Sequence, residues 1–528
     1  MNIRSRISDY ILLIAVAAFF LSWKLSAFGL IGADEPRYAQ VAREMLERHD
    51  WVTSTLGGLP WLEKPPLYYW QAMLAYKLFG VSDWAARLPS VLDAFLLLLV
   101  VYFFLRRFRG GFELDGTLIV ATSAGIVGFS RAASTDMPLT AAFTISMLGW
   151  CAWFESRNRK WLLAFYGFIA LAMLAKGPVA PFLAAAVIAT FAAVNRSANL
   201  IRKTLWLPGI LLFCVIALPW YALVQFRNPQ FFHEFIIEHN LARFGTNLYH
   251  HPEPFWYYVP VTLLAWVPWT VFVLPAGVWA TVQLRKSATG TVRLFLLIWI
   301  AVVVIFFSIS QSKLPGYVLP AIPPGALLAT EFIHDRGLSE RSRALKRVLL
   351  FAVHSAVLGV LVFCALMIQP LILEHRIPWN LASIPFTVAS IIAAAGFVLL
   401  LKFDLRALRF ATLVPMIVAV AIALRFGAGP LDATLSARPV ASQLAQFDAQ
   451  HLPAALFLVP RETEFGIEFY RNQATPRYEL RQIPAGEHLV VAARGFEKSI
   501  AAATGRRPVY LGSFQPQKLE FFYVPASR

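Results

Sequence analysis

Two acidic residues, Asp34 and Glu35, stand directly after the first long apolar run of this 528-residue sequence. A carboxylate at that point would meet the polar head of a membrane-embedded substrate and could remove a proton from an attacking hydroxyl. The same residues also suit a helix start, because Asp34 can cap the helix and Pro36 fits its first turn. Both interpretations stay open on these residues alone.

A lysine in a rigid setting follows, in Glu-Lys-Pro-Pro-Leu-Tyr-Tyr-Trp at residues 63–70. Two successive prolines restrict the backbone, so Lys64 is held more firmly than an ordinary surface lysine. A fixed ammonium could bind a phosphate as a point charge. The alternative is a helix start at which the lysine side chain extends along apolar surface towards water.

Three further motifs place polar groups at the ends of apolar runs. Asp136 lies in Ser-Thr-Asp-Met-Pro. His239 and Arg243 lie in Glu-His-Asn-Leu-Ala-Arg-Phe, and Lys313 and Tyr317 lie in Ser-Lys-Leu-Pro-Gly-Tyr. Charged groups at the end of a span often do no more than solvate in the membrane interface. These residues indicate a functional site only if they meet on one face of the membrane.

The elements that carry these motifs are typical of a membrane protein, with 58% hydrophobic residues and a mean hydropathy of +0.61. At about 20 residues per bilayer crossing, the pattern predicts about 13 transmembrane helices. The apolar runs cover residues 10–30, 84–105, 114–130, 137–154, 161–175, 178–194, 205–226, 255–280, 292–309, 315–333, 348–370, 380–401 and 408–427.

Arginine and lysine cluster in alternate connections between these runs. The short loops on the other side hold only Arg131, Lys176, Lys313 and Arg376. Because cationic loops resist translocation, this bias predicts a cytoplasmic N-terminus and, with an odd number of crossings, a C-terminus outside. The same topology brings five motif residues to the outer face: Asp34, Lys64, Asp136, Arg243 and Tyr317.

The net charge of +17 is spread over the predicted cytoplasmic segments, where it faces anionic lipid headgroups. A nucleic-acid partner is therefore not expected. Cys151, Cys214 and Cys364 all lie in apolar runs, which indicates neither a disulfide framework nor a zinc cluster.

Two segments outside the runs are predicted to be interfacial helices on the outer face. Residues 36–49 are amphipathic, and residues 67–79 are apolar, rich in Tyr and Trp, and too short to span comfortably. Beyond residue 430, β-type runs alternate with helical stretches. We therefore divide the chain into a transmembrane domain, residues 1–429, and a small C-terminal α/β domain, residues 430–528, on the outer, periplasmic face.

Taken together, these motifs resemble those of the polytopic C-type glycosyltransferases that use polyprenyl-phosphate sugars, the superfamily of aminoarabinose lipid A transferases and protein O-mannosyltransferases. The resemblance runs through about residues 10–330. It implies a multi-pass protein of the bacterial inner membrane. Such an enzyme moves one sugar from undecaprenyl phosphate to an envelope acceptor, which could be a lipid, a glycan or a protein, with inversion at the anomeric carbon.

The resemblance also implies roles for individual residues. Lys64 and Arg243 would hold the donor phosphate, and Asp34 and Asp136 would be the catalytic carboxylates. The residues expected to line the donor cavity are Glu35, Arg37, Tyr38, Tyr317 and Lys313. Glu63 and His239 match positions near a divalent metal, although one Glu and one His make an incomplete ligand set. Gly316 departs from the family, which usually has a polar residue before the tyrosine.

A lipid-linked sugar flippase or secondary transporter is the alternative. Transporters tend to place their substrate sites near the bilayer midplane, on broken helices related by internal repeats. In this sequence the charged motifs cluster at one interface and no repeat is evident, which favours the transferase.

Overall fold

The structure is a computed structural model that describes residues 3–242, 253–286, 292–334, 344–403, 407–448 and 452–526. Its first half is helical apart from a two-stranded hairpin, β1 (Thr55–Leu56) and β2 (Leu59–Pro60). The helices are α1 (Ile3–Ala17), α2 (Asp34–Glu47), α3 (Leu67–Phe79), α4 (Asp83–Phe108), α5 (Glu113–Thr122), α6 (Ala124–Ser130), α7 (Asp136–Ser156), α8 (Lys160–Lys176), α9 (Val179–Val194), α10 (Ala198–Thr204) and α11 (Leu207–Arg227).

The second half continues with α12 (Tyr258–Ala265), α13 (Thr270–Lys286), α14 (Val292–Ile309), α15 (Ile322–His334), α16 (Ala344–Leu366), α17 (Ile368–Leu373), α18 (Ser383–Phe403), α19 (Leu408–Phe426), α20 (Ala428–Leu435), α21 (Arg438–Phe447), α22 (Arg461–Arg471) and α23 (Glu497–Thr504). Two segments, Ala18–Ser22 and Phe232–Ala242, are π-helical.

Each of the 13 predicted apolar runs overlaps with a helix or a broken pair of helices, although the first run is helical only as far as Ser22. By length and composition, eight helices of the described chain could cross a membrane, or nine if the pair Phe255–Ala265 and Thr270–Leu284, bent by 113°, is one span. The four other runs are shorter or interrupted, as where α5 and α6 break at Ser123. A multi-pass helical fold is thus confirmed, while the number of 13 stays a prediction.

Helix α7 forms the centre of the bundle, since 94% of its apolar stretch of 18 residues is buried. Its Trp150 stacks on Phe295 of α14, with 4.8 Å between the ring centroids, and its Ser146 hydroxyl donates to the Phe165 carbonyl of α8. Aromatic pairs and buried hydrogen bonds of this kind fix one arrangement of the helices. Asp136, the first residue of α7, is therefore carried by a rigid element.

The small C-terminal sheet is present, as predicted. Its strands are β3 (Ala454–Phe457), β4 (His488–Ala493), β5 (Val509–Phe514) and β6 (Leu519–Val524), in the order β3-β4-β6-β5. Strands β3 and β4 are parallel and the other pairs are antiparallel. The predicted boundary at residue 430 falls inside α20, so the division into two domains stays a prediction.

The C-terminal segment packs directly against α2 and the loop before it. The Arg43 guanidinium donates to the Phe469 carbonyl at 3.1 Å, and Tyr470 donates to Asp83 at 2.8 Å while accepting from the Leu30 amide. Gly29 lies in this contact, where a Cβ atom would come within 2.3 Å of the Ser436 hydroxyl oxygen. The loop before α2 is thereby fixed from two sides.

Candidate functional site

The first group of site residues gathers around the start of α2. Ala33 is the residue before this helix, and the Asp34 carboxylate forms no capping bond but accepts a hydrogen bond from Arg37 at 2.5 Å. Asp34 and Glu35 in the first turn stabilise the helix through its dipole. The Asp34 side chain is 50% exposed, whereas that of Arg37 is 12% exposed. Asp34 therefore faces open space with a buried cation behind it.

Arg37 is held by three aromatic rings as well as by acids. Its guanidinium carbon lies 5.2 Å from the ring centroids of Tyr38 and Trp61 and 5.6 Å from that of Phe465. Burial alone would lower the pKa of Arg37, but Tyr38, Asp34 and Glu63 together raise it. Among the described residues, the buried Arg37 Nε has no hydrogen-bond partner. A cation with a spare N–H group suits an oxygen-rich ligand.

Tyr38 is itself buried between α2 and α3. Its ring centroid lies 6.2 Å from that of Tyr68 and 6.3 Å from that of Tyr69. Burial raises the pKa of its hydroxyl well above the usual value. Tyr38 is therefore neutral and shapes the position of Arg37 by packing.

The Glu-Lys-Pro-Pro motif brings Glu63 to the same cluster. Its carboxylate lies 4.0 Å from Arg37 and 3.9 Å from the His239 ring, which comes from the π-helical segment Phe232–Ala242. Pro65 and Pro66 are buried, and α3 begins at Leu67 directly after them. The Lys64 ammonium donates to the Glu63 carbonyl at 3.3 Å and is half-buried. The prolines thus hold Lys64 beside this cluster.

A second group forms where α7 begins and α8 ends. The Asp136 carboxylate is ion-paired with Lys176, whose ammonium lies 4.6 Å from the ring centroid of Tyr317. A Cβ atom on Gly316 would come within 2.8 Å of the Asp136 carboxyl carbon and of Phe129. Glycine at this position therefore lets the backbone lie directly on Asp136.

The two groups are joined through Gly177, the residue after Lys176. A Cβ atom there would come within 2.7 Å of Phe235, on the π-helical segment that also carries His239. With φ at +93°, Gly177 adopts a backbone conformation that suits glycine. A continuous path of contacts thus runs from Lys176 to His239, Glu63 and Arg37.

Lys176 is the site residue that the sequence analysis missed. It appeared there only as one of the few outer cations, because its partner Asp136 lies 40 residues away. The available signal was its position, a lone lysine before Gly-Pro at the end of an apolar run.

Two residues predicted to line the donor cavity, Glu35 and Lys313, are buried and hydrogen-bonded to backbone. The Glu35 carboxylate is buried and accepts four hydrogen bonds, two from Arg87 and one each from the Ile31 and Ala133 amides. Lys313 is 6% exposed and its ammonium donates to the Ser310 carbonyl at 2.5 Å. Both side chains thus hold the backbone around the site, and their place in the lining of the donor cavity stays a prediction. Arg243 lies outside the described residues.

A metal ion finds few ligands in this cluster. In the part of the chain that the structure describes, no three His, Cys, Asp or Glu side chains are grouped to hold one. Glu63 and His239 supply two donors, and the Arg37 guanidinium already lies 4.0 Å from Glu63. A cation so close to one ligand opposes a second cation, so the residues do not fit a metal site.

The fold is that of a polytopic membrane glycosyltransferase. The structure matches the crystal structure of ArnT from Cupriavidus metallidurans bound to undecaprenyl phosphate with a TM-score of 0.76, at 23% identity over 97% of both chains. It matches the oligosaccharyltransferase of Archaeoglobus fulgidus with a TM-score of 0.51, at 12% identity over 94% of this chain and 70% of that one.

Sequence comparison identifies the family within this class of membrane glycosyltransferases. Residues 63–222 match the family model of dolichyl-phosphate-mannose-protein mannosyltransferases. The undecaprenyl phosphate-alpha-4-amino-4-deoxy-L-arabinose arabinosyl transferase of Serratia proteamaculans (strain 568) is 30% identical over 384 residues, 71% of this chain and 67% of the relative. That of Yersinia pestis is 30% identical over 59% of this chain and 57% of the relative. The chain belongs to this family of arabinosyl transferases and is a multi-pass membrane glycosyltransferase of the polyprenyl-phosphate-sugar class.

Proposed function

We propose that this enzyme transfers a single sugar from undecaprenyl phosphate to an acceptor of the bacterial envelope, on the periplasmic face of the inner membrane. The observation that carries the proposal is the convergence of Asp34, Arg37, Glu63 and His239 at the start of α2, with Lys64 next to them. Acids and cations that meet at one end of a helical bundle suit a phosphate leaving group and a nucleophile. A phosphorylated glycolipid such as lipid A is the acceptor that the family favours.

The reaction breaks the bond between the anomeric carbon and a phosphate oxygen of the donor. Both bonding electrons go to that oxygen, so polyprenyl phosphate leaves with one more negative charge. Lys64 and the spare N–H of Arg37 stabilise this charge, and Arg243 adds a further cation from beyond the described residues. The acceptor oxygen forms the new bond from the opposite side, which inverts the anomeric centre.

The two carboxylates have separate tasks. Asp34 is the more exposed, at 50% against 18% for Asp136, so it takes the proton of a hydroxyl acceptor. If the acceptor is a phosphate, it is already anionic, and Asp34 orients it instead. Asp136 and Lys176, packed beside Tyr317 and Gly316, position the sugar.

The proposal includes a topology: about 13 crossings, a cytoplasmic N-terminus and a periplasmic C-terminal domain of residues 430–528. It is supported by the overlap of every predicted apolar run with helical structure. The same topology puts the starts of α2 and α7 and the end of α8 on the outer face.

The test is turnover by purified protein in lipid vesicles. Undecaprenyl phosphate carrying labelled 4-amino-4-deoxy-L-arabinose should release undecaprenyl phosphate when lipid A is present, and the label should move to lipid A. Movement of intact donor across the bilayer without any release of undecaprenyl phosphate would instead favour the flippase.

A further inference from the structure

An open crevice lies outside the candidate site, where the loop after the first helix meets the start of α4 and the end of α19. Its volume is about 760 Å³. The lining that matters combines two cations, Lys24 and Arg425, with the apolar side chains of Trp84, Leu88 and Leu424. A pocket with a charged rim and an apolar wall suits an amphiphile.

The charge of this crevice is not balanced by acids. Among the described residues, no carboxylate pairs with Lys24 or Arg425, whose charged groups lie 5.1 and 5.4 Å from the rings of Trp23 and Phe426. Behind Lys24, Arg131 donates only to backbone carbonyls, and burial together with Arg87 lowers the pKa of Arg131 to about 10. Three cations without acidic partners are unusual on a face whose short loops hold few cations.

The loop that carries Lys24 is preorganised by arginines. Arg131 donates to the carbonyls of residues 20, 23 and 24, and Arg87 to those of residues 25, 28 and 29. Arg438 from the C-terminal segment donates to the carbonyl of residue 26. Because its carbonyls are already bonded, the loop keeps its shape whether or not a ligand is bound.

The apolar wall continues into the membrane-facing surface. Trp84 packs on Phe79 with 5.0 Å between ring centroids, and Leu88 follows one turn later on α4. Leu92, a further turn along, is 57% exposed. Tryptophan at the rim and leucines below it are arranged as in a membrane interface, with headgroups above and acyl chains below.

The crevice also adjoins the candidate site. Arg131 is five residues before Asp136, so their Cα atoms lie within about 18 Å. Lys64, which we assign to the donor phosphate, lies just before α3 and beside Glu63, whose carboxylate is 3.9 Å from His239 of the π-helical segment. The donor and a second lipid can therefore approach the site along separate routes.

We propose that this crevice binds the phosphate-bearing headgroup of the acceptor lipid, with Lys24 and Arg425 on the phosphate and an acyl chain along Trp84, Leu88 and Leu424. This inference rests on the proposed function, since it names the acceptor as a phosphorylated glycolipid. It goes further in assigning that lipid a docking site of its own beside the transfer site.

The test is lipid binding by the full-length protein in neutral phosphatidylcholine nanodiscs, measured by native mass spectrometry. Lipid A with both phosphates is the probe, and the variant is Lys24→Ala with Arg425→Ala. The Kd is expected to rise about fivefold for each cation removed, and therefore roughly 25-fold for the pair. The control is Arg376→Ala, which removes an exposed arginine that pairs with Glu374 and lies outside the crevice; its Kd should not change.

Two results would overturn the inference: an unchanged Kd in the double variant, or equal displacement of lipid A by phosphatidylglycerol, which would make the crevice a site for bulk anionic lipid. Dephosphorylated lipid A should bind wild-type protein as weakly as the double variant binds lipid A. Kinetics separate this inference from the proposed function. If only the inference fails, the double variant keeps the wild-type KM for lipid A. If the proposed function fails, wild-type protein binds lipid A but releases no undecaprenyl phosphate.

Discussion

At the scale of single residues, the site depends on charges that are paired but still accessible. Asp34 is half exposed and backed by Arg37, while Glu35, its neighbour in sequence, is buried in an ion pair with Arg87 at 2.7 Å. Adjacent carboxylates therefore differ in their surroundings: Asp34 is accessible to a ligand, and Glu35 anchors the loop. The sequence could not separate their roles, because the two acids are adjacent in the same motif. Only the buried partner of Glu35, Arg87, distinguishes them.

Lys64→Ala should lower turnover by about 10²–10³-fold, because a cation aimed at the leaving phosphate is lost. The measurement is release of undecaprenyl phosphate by purified protein, with thermal unfolding to confirm that the fold is intact. The matched control is Lys77→Ala, which removes an exposed lysine near the end of α3, the helix that follows Lys64. This variant should keep wild-type turnover. Normal turnover in Lys64→Ala would remove this lysine from the mechanism.

Asp34→Asn should slow transfer to a hydroxyl acceptor by about 10²–10⁴-fold and leave donor binding nearly unchanged, because the amide cannot take a proton. Comparing kcat with the Kd of the donor measures the two effects separately. Glu47→Gln, at the other end of α2, controls for loss of an acid from this helix. Equal losses in turnover and donor binding would show that Asp34 only holds Arg37.

At the scale of elements, close contacts decide how the two groups of site residues meet. Helix α7 is central and buried. Gly316 lets the backbone come close to Asp136, the first residue of α7, and Gly177 lets the backbone come close to Phe235 of the π-helical segment. The helices were predictable from apolar periodicity, and α3 covers the residues that were predicted. The pairing of Asp136 with Lys176 was not, because it depends on how α7 and α8 pack and not on either motif.

Gly316→Ala should reduce turnover by about tenfold or more with little loss of expression. The added methyl group would lie 2.8 Å from the Asp136 carboxyl carbon, and a shift of that group by a fraction of an ångström misaligns it. Gly128→Ala is the control, because no atom lies within 4 Å of a Cβ atom there. Unchanged kinetics in Gly316→Ala would mean that the position of Asp136 is not critical.

Phe465→Ala should lower turnover by roughly 3- to 30-fold, since the ring contributes a cation–π contact to Arg37. Phe457→Ala is the matched control: it removes a ring of the same domain that packs on Tyr478 and Phe496, away from Arg37. Both variants should unfold at lower temperature, but only Phe465→Ala should change turnover. Equal turnover in the two variants would limit the domain to a stabilising role.

At the scale of the whole molecule, the C-terminal residues pack on α2, on the loop before it and on the start of α4. The sequence was sufficient to predict a multi-pass helical protein and a C-terminal sheet, while the roles of the candidate site residues stay predictions. It could not reveal that Phe465 borders Arg37 or that Tyr470 bonds to Asp83 and Leu30, because contacts between segments more than 380 residues apart leave no local pattern. The strand order of the sheet, with β6 between β4 and β5, likewise has no local pattern in the sequence.

The proposed topology predicts that the C-terminal domain is reached from outside the inner membrane. A cysteine at the exposed position of Lys498, in Lys498→Cys, should react with a membrane-impermeant maleimide in intact spheroplasts. Lys203→Cys, in a predicted cytoplasmic segment, should react only after the membrane is permeabilised. The opposite pattern would invert the topology and remove the periplasmic site.

The arginine-bonded loop has a consequence for biosynthesis. The Gly29 amide donates to Asp432, 403 residues later, and the Ser26 carbonyl accepts from Arg438, 412 residues later. A ribosome must therefore complete nearly the whole polypeptide before the segment that leads into Asp34 is held as in the finished enzyme. A nascent or truncated chain that ends before these positions would lack both hydrogen bonds, so the loop that leads into α2 would not be held in its final position.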